Sequence, residues 1–415
     1  MRLLAVTVAL AGFGLASCTI THKTDGKPVP REDAGDGDAD SGMDAARDSG
    51  ELDAAPDADS RMDADVPDAA PDADVGSDED GGAEEAIVID CEEQLDDSLD
   101  GLPDDVACIG LYADVATKRI ETGVQRFVPA VILWSDGAGK QRWVSFPEGE
   151  KIDATDPNSW VFPVGTKFFK EFRVDGRRVE TRIFQKVRSD RWVRGTYAWN
   201  AAETRATRSF GADLEDVQIA GKPYHIPSGT ECDQCHGGRE DRVLGFESVA
   251  LGLPGAEGIT LKDLVEQDLI APAPARTELT IGDDGTEHGA DVVGYLHMNC
   301  GVCCHNDNRN AEAYPSRLFM KLDVNELDGR PINNIETLQL LINQDAKTLR
   351  WGDRKRVIPG NPQDSLLYQL ITSRAGPKEQ MPPIATKVVD SHHTELIREW
   401  IVSLDGESDN PDAGE

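Results

Sequence analysis

The chain has 415 residues, with 42 lysines and arginines against 77 aspartates and glutamates and a formal net charge of -35. A surplus of that size excludes a nucleic-acid binder that works by neutralising phosphates and argues against adsorption to anionic lipid. The length admits two or three domains, and eight cysteines suit an oxidising compartment or a thiol-bound cofactor better than an unmodified cytosolic chain.

Met1 and Arg2 precede an apolar run, residues 3–15, too short to span a bilayer, which reads as the hydrophobic region of a signal peptide. The run ends in Leu15-Ala16-Ser17-Cys18, which resembles the lipobox of bacterial lipoproteins. That resemblance implies a lipoprotein signal over 1–18, with the lipid on Cys18 as the only membrane attachment. The alternative is an ordinary secretory signal in which Cys18 is incidental. Either exports the chain to the cell envelope, periplasm-facing or at the outer membrane.

Residues 19–86 are dominated by Asp, Ala, Gly, Pro and Ser, with near-repeats at 53–59 and 68–74. Such a segment buries too little apolar area to offset its ordering entropy, and its like charges extend it, so it reads as a disordered acidic tether. Known calcium loops space their ligands and glycine differently. A short polar tail, 406–415, is also expected to be disordered.

A β-rich domain is expected over 87–215. Cys91 and Cys108 flank a polar stretch and are candidates for a disulfide. From 127 to 208, short alternating runs rich in Val, Phe and Trp predict antiparallel strands in a β-sandwich. Asp175-Gly176, between residues 168–174 and 177–187, supplies the positive φ values of a two-residue hairpin turn. Trp134, Trp143, Trp160, Trp192 and Trp199 are expected to fill the core, although together and exposed they would form a docking platform.

The segment 216–285 carries Cys232-Asp233-Gln234-Cys235-His236. Two cysteines two residues apart with histidine next are the attachment signature of a c-type haem. On a helical turn both sulfurs reach haem vinyl groups while His236 supplies the proximal iron ligand. A bare Cys-x-x-Cys would equally suit zinc or a disulfide. Gly237 and Gly238 would let backbone approach a porphyrin face. A helix capped by Thr260 is expected over 260–270, then a stiff connector at 271–275.

The last segment, 286–405, reads as mostly α-helical. A helix over 291–300 runs into Cys300-Gly301-Val302-Cys303-Cys304-His305, where Cys304 stands in the place of histidine and His305 comes one residue later. Read from Cys304 and His305 the motif is Cys-x-x-x-Cys-His, and i,i+4 spacing keeps Cys300 and Cys304 on one side of a turn. Attachment through Cys304 alone is the alternative, and Cys232, Cys235, Cys300 and Cys303 also make a four-thiolate zinc set. Met381, in a proline-stiffened loop, is the candidate distal ligand of the iron on His305. A helix opened by Asn361-Pro362 and an amphipathic helix over 391–404 follow the pattern of capping and apolar stripe, and Gly294 offers close contact to Trp400 as in crossing cytochrome helices.

Together Leu133-Trp134-Ser135-Asp136-Gly137-Ala138, the stretch 160–166, Glu180-Thr181-Arg182, Tyr197-Ala198-Trp199-Asn200, both cysteine clusters, Pro359-Gly360-Asn361-Pro362 and Met381-Pro382-Pro383 resemble a bacterial family of exported proteins that join a β-rich domain to two haem-attachment motifs. The resemblance covers 87–404 and implies haem c at both clusters and a cytochrome-c-like carboxy-terminal domain. The family's second motif has histidine directly after the second cysteine, so this chain departs there by one residue. Some relatives occur with sugar-dehydrogenase-like domains, which implies a role accepting electrons from oxidation of small alcohols or sugars, with a redox protein partner that the sequence does not identify.

The expectation is therefore a multidomain α+β lipoprotein: a disordered tether, an antiparallel β-sandwich-like domain, and a mostly helical haem domain that carries electrons. His225, His288 or His297 would complete the first iron, or the position stays open and permits enzyme chemistry such as peroxide reduction. A non-haem lipoprotein with zinc or disulfides at the clusters is the third reading.

Overall fold

The computed structural model describes residues 89–96, 101–384 and 386–404. The expected leader with Cys18, the tether 19–86 and the tail 406–415 lie outside them. A short helix, α1 (Cys91–Asp96), is joined by the Cys91–Cys108 disulfide to a 3-10 turn at Val106–Cys108 that Asp105 caps. Strands β1 (Tyr112–Asp114) and β2 (Arg119–Ile120) form a small antiparallel pair.

The strands that follow are β3 (Gln125–Val128), β4 (Gly139–Ser145), β5 (Ile152–Asp153), β6 (Lys167–Val174), β7 (Arg177–Arg188), β8 (Arg191–Trp199), β9 (Ala206–Ser209), β10 (Ala212–Ile219) and β11 (Lys222–Ile226). Next come α2 (Gly229–His236), α3 (Ser248–Gly252), β12 (Glu257–Gly258), α4 (Leu261–Glu266), β13 (Ile270–Ala271) and α5 (Gly289–Leu296). A π-helical turn at His297–Gly301, then α6 (Glu336–Leu341), α7 (Leu366–Thr372) and α8 (Ser391–Ser403), complete the chain.

One seven-stranded sheet runs β12-β3-β4-β6-β7-β8-β9 with every neighbouring pair antiparallel. The β6–β7 turn is Asp175 (φ 50°) and Gly176 (φ 80°), the two positive values of a type I′ hairpin. A bulge follows at once. Register passes from Arg173↔Arg178 to Phe172↔Glu180, which leaves Val179 as the extra residue.

Strand alternation gives the sheet two different faces. On one, Trp143, Phe169, Ile183, Tyr197 and Trp199 pack against Leu102, Val106, Ile109 and Leu111 of the amino-terminal segment. On the other, Phe127, Val144, Phe168 and Trp192 join a core that continues through Phe246, Leu261 and Val292 to Ile397 and Ile401. The fold is α+β, with a large antiparallel sheet and short helices. Contrary to a sandwich, no second large sheet lies among the described residues; the apolar stretch 102–111 and the motif-bearing segments cover the two faces instead. All described residues fall in one compact unit, and its main core is shared by β strands and α8 alike.

Several expected elements are shorter or shifted. The helix begun by Thr260, which makes a capping box with Asp263, ends at Glu266 because Asp268 turns left-handed (φ 57°) and Ile270 pairs with Ile152. The helix expected from Pro362 starts at Leu366. Gly294 faces Ile281 and Val131, not Trp400; the close approach is at Gly289, where a Cβ would lie 1.9 Å from Asp284 Oδ1. The other Asp284 oxygen accepts the Trp400 indole N–H at 2.8 Å, so a buried carboxylate ties α5 to α8. Among the described residues no helix is long and apolar enough to cross a membrane.

Candidate haem-attachment sites

The first motif occupies α2. Ser228 and Glu231 form a capping box at its start, with Ser228 N–H donating to Glu231 Oε2 at 2.8 Å. Strand β8 pins the helix, since Arg194 donates from Nε to the Gly229 carbonyl at 2.9 Å and from Nη2 to Asp233. Three residues apart, Cys232 and Cys235 share one face of α2. They and His236 line a cavity of about 930 Å³ against the sheet. That volume lies at the upper end of the ~300–1,000 Å³ typical of cofactor sites.

His236 sits with Nδ1 2.5 Å from the Arg242 carbonyl oxygen, so Nδ1 carries the proton and donates. Nε2 keeps its lone pair, the arrangement in which a backbone carbonyl fixes the tautomer of a metal-ligating histidine. Phe184 packs on the ring at 4.7 Å between centroids. Burial, reinforced by the nearby charges of Lys170 and Arg182, pushes the imidazole down to about 3, so it is neutral at physiological pH. The residues present thus fit a haem c: two sulfurs on one helical face, a neutral imidazole with a free Nε2, and a roomy cavity with aromatic walls.

The second motif follows α5 through the π turn. Val302 N–H donates to the His297 carbonyl and His305 N–H to the Cys300 carbonyl, at 2.9 and 2.8 Å, each spanning five residues. A π turn accommodates one residue more than an α turn, so the extra residue of Cys-x-x-x-Cys-His is absorbed and His305 still follows Cys300 by one turn. His305 repeats the arrangement of His236. Its Nδ1 lies 3.1 Å from the Leu318 carbonyl, and burial pushes it down to about 4. Burial also pushes the Cys300 thiol up to about 12.

The structure does not gather all candidate residues. Cys300 and Met381 border the main core, whereas Cys304 borders a small cluster of Leu244, Met298 and Val302. Met381 does not line the large cavity, and its N–H is bonded to the Leu370 carbonyl. Cys303, which the wider motif leaves over, does line it, and its thiol is hydrogen-bonded to Cys235. That bond brings Cys235 down to about 7 despite burial. Among the described residues no three His, Cys, Asp or Glu side chains converge as a metal-ligand set, so the four sulfurs of the zinc alternative do not gather as one site.

Other expectations shift as well. What Gly238 admits is the Cys303 carbonyl, 1.8 Å from where a Cβ would stand, and not a porphyrin. His297 is fully engaged: Nδ1 accepts the Leu322 N–H at 2.9 Å, and Nε2–H donates to the buried Glu247 at 3.1 Å. His225 lines the cavity with its ring nitrogens on Asp213 and Glu231, and His288 lies 3.3 Å from Glu399. Of the five tryptophans, Trp143, Trp160, Trp192 and Trp199 are buried, whereas Trp134 is half-buried and lines the cavity.

Absent from the sequence reading is the cavity's charge. In a strongly acidic chain, its lysines and arginines, among them Lys140, Arg142, Lys170 and Arg182, outnumber two carboxylates, Asp136 and Glu231. Burial pushes Arg142 down to about 10; burial and the neighbouring Arg142 and Arg182 charges push Lys170 down to about 7. The alternation of Lys140 with Arg142 in β4 was the available signal. Compared with known proteins, the chain matches no family model, no curated protein and no solved structure.

Proposed function

We propose that this chain is an exported c-type haem lipoprotein that carries electrons in the cell envelope. Cys232 and Cys235 would hold one haem by thioethers, with His236 as its proximal ligand; Cys300 and Cys304 would hold a second with His305, for which Met381 is the candidate distal ligand. The observation that carries the reading is His236 itself: its Nδ1–H is tied to a carbonyl, which leaves Nε2 its lone pair, and the residue lines the cavity that Cys232 and Cys235 also line. A bound haem c supplies a one-electron couple. The chain's own work is to present two sulfurs from one helical face, hold the imidazole neutral, and surround the group with Phe168, Phe184 and Trp192, which exclude water. The segment from α5 to α8, with Met381 between them, is the cytochrome-c-like part of this reading, and Cys18 is its lipid anchor. Its electron donor or acceptor is another redox protein.

The test is covalent haem per chain, by pyridine haemochrome, with iron and zinc content, on the full-length protein exported with haem-attachment machinery. Two haems support the diheme carrier, and one mapped by peptide mass to Cys232 and Cys235 confines attachment to the first motif. Absence of haem with stoichiometric zinc sinks the reading.

A second reading is a haem enzyme such as a peroxide reductase. It is favoured because no methionine lines the cavity and His225 has both ring nitrogens engaged, which leaves no evident distal imidazole or thioether for the iron on His236. Tight cyanide binding that shifts the spectrum without displacing a protein ligand supports it, and weak binding supports the carrier.

A further inference from the structure

Across the middle of the cavity face, Arg142 of β4 pairs with Lys170 of β6, and Lys170 with Arg182 of β7. The same transverse row continues to Thr196 of β8 and Ser209 of β9, and all five residues line the cavity. Like charges directly opposite on neighbouring strands are destabilising, and here three cations stand in line. One is compensated, because Arg182 donates from Nε to the fully buried Glu180 at 3.0 Å. The other two are not. Arg142 is 2 % exposed and its Nη2 is buried without a hydrogen-bond partner, and Lys170 has no ion-pair partner among the described residues. A buried cation without a counter-charge is costly, and a native fold retains it where an anion comes to meet it.

The neighbouring row on the same face is Val144, Phe168, Phe184 and Arg194, apolar in its centre and in contact with His236 through Phe184. Two residues along the strands, ~6.6 Å away, lies the row of cations. The wall beside His236 is therefore apolar and then cationic, which matches a flat apolar ring bearing two carboxylates on one edge. We propose that Arg142 and Lys170 seat the two propionates of the haem attached at Cys232 and Cys235, an inference that rests on the haem reading of that site. Two uncompensated cations meet two propionates, and Arg182 with Glu180 frames them.

The test compares the full-length, haem-matured protein with Arg142→Gln and Lys170→Gln, by covalent haem per chain and by potentiometric titration of the haem mapped to Cys232 and Cys235. Both variants are expected to keep that haem. Each loses a positive charge and exposes an unpaired propionate, so the oxidised form gains. The reduced-to-oxidised ratio at fixed potential is expected to fall about tenfold, which is ~59 mV for one electron, and Arg142→Lys to stay near the parent. An unchanged potential in both glutamine variants overturns the inference and leaves the haem reading standing. A parent protein without haem at Cys232 and Cys235 overturns both. A parent potential that shifts on adding acetate or sulfate, with the shift lost in the variants, overturns it in favour of a free anion. Should the glutamine variants not accumulate, the resonance Raman propionate bending band of the parent decides. Displacement from its position in the excised haem peptide is expected, and coincidence with it overturns the inference.

Discussion

Cys235 of the first motif and Cys303 of the second share a thiol–thiol hydrogen bond, which ties the two cysteine clusters together across the wall of the large cavity. The contact lowers Cys235 to about 7, while the Cys303 thiol, which also meets that of Cys304, is held protonated. In protein lacking haem, Cys235 is therefore the reactive thiol, and Cys300, pushed up to about 12, the inert one. Iodoacetamide labelling read by peptide mass is expected to modify Cys235 with a midpoint near pH 7 and to spare Cys300. Cys303→Ala removes the contact, so the midpoint is expected to move up toward the ordinary thiol range. A midpoint that stays in place would mean that the hydrogen bond does not set it.

The same contact bears on haem loading. An external thiol oxidant that takes two electrons and two protons from Cys235 and Cys303 leaves a disulfide, which removes one of the two sulfurs that the proposed attachment requires. Cys303→Ser is thus expected to raise covalent haem at the first motif, most visibly when maturation is slow. A fall in haem per chain with Cys303→Ser counts against this competition.

Acid should weaken the haem-free fold through His236 and His305. Both are depressed, to about 3 and about 4, from an ordinary histidine value near 6.5, so the unfolded chain takes up protons first as pH falls. Stability is then full above pH 6.5, declines as pH drops toward 4, and stays lost below the folded values. Each histidine contributes at most ~1 kcal/mol per pH unit, discounted because the rings are only partly buried. Urea midpoints of the haem-free protein at pH 7 and pH 5 measure it. The double variant His236→Gln, His305→Gln is expected to lose less on acidification than the parent, and an equal loss would assign the acid sensitivity to carboxylates.

Glu247 and His297 form a buried pair outside the cavity. With Nδ1 accepting from Leu322 and Nε2–H donating to Glu247, His297 has no nitrogen left for iron. Replacing His297 with leucine strands a buried carboxylate and a backbone N–H, at a cost of ~3 kcal/mol. Denaturant unfolding should show that loss in protein with and without haem. The haem absorption bands of the variant should match the parent, whereas a change of ligation would restore His297 as a distal ligand.

Gly238 sets how closely the two motifs pack. A methyl there would overlap the Cys303 carbonyl, and both partners are backbone, so neither can swing away. Gly238→Ala is expected to destabilise by ~3 kcal/mol and to break the Cys235–Cys303 contact, seen as a rise of the Cys235 labelling midpoint. Gly221→Ala, where the space beyond is open, serves as the control for backbone strain at a loop glycine, its φ being +71°.

Features whose cause is local were legible in the sequence. Asp175-Gly176 closes the β6–β7 hairpin because two positive φ values are needed side by side. The Cys-x-x-Cys-His spacing lies on a single capped helix, and the stripe of Ile397, Trp400 and Ile401 marks α8 as a helix with one buried face. What only tertiary structure decided depends on register and on partners far along the chain. Without the bulged Val179, the hairpin turn would place Thr181 opposite Lys170. The one-residue slip puts Arg182 there instead and turns it toward the cavity, because neighbouring positions on a strand face opposite sides. The π turn that absorbs the extra residue of the second motif, the thiol partner of Cys235, and the buried carboxylate that engages His297 arise in the same way. Each depends on which backbone packs against which, and local periodicity carries no record of that.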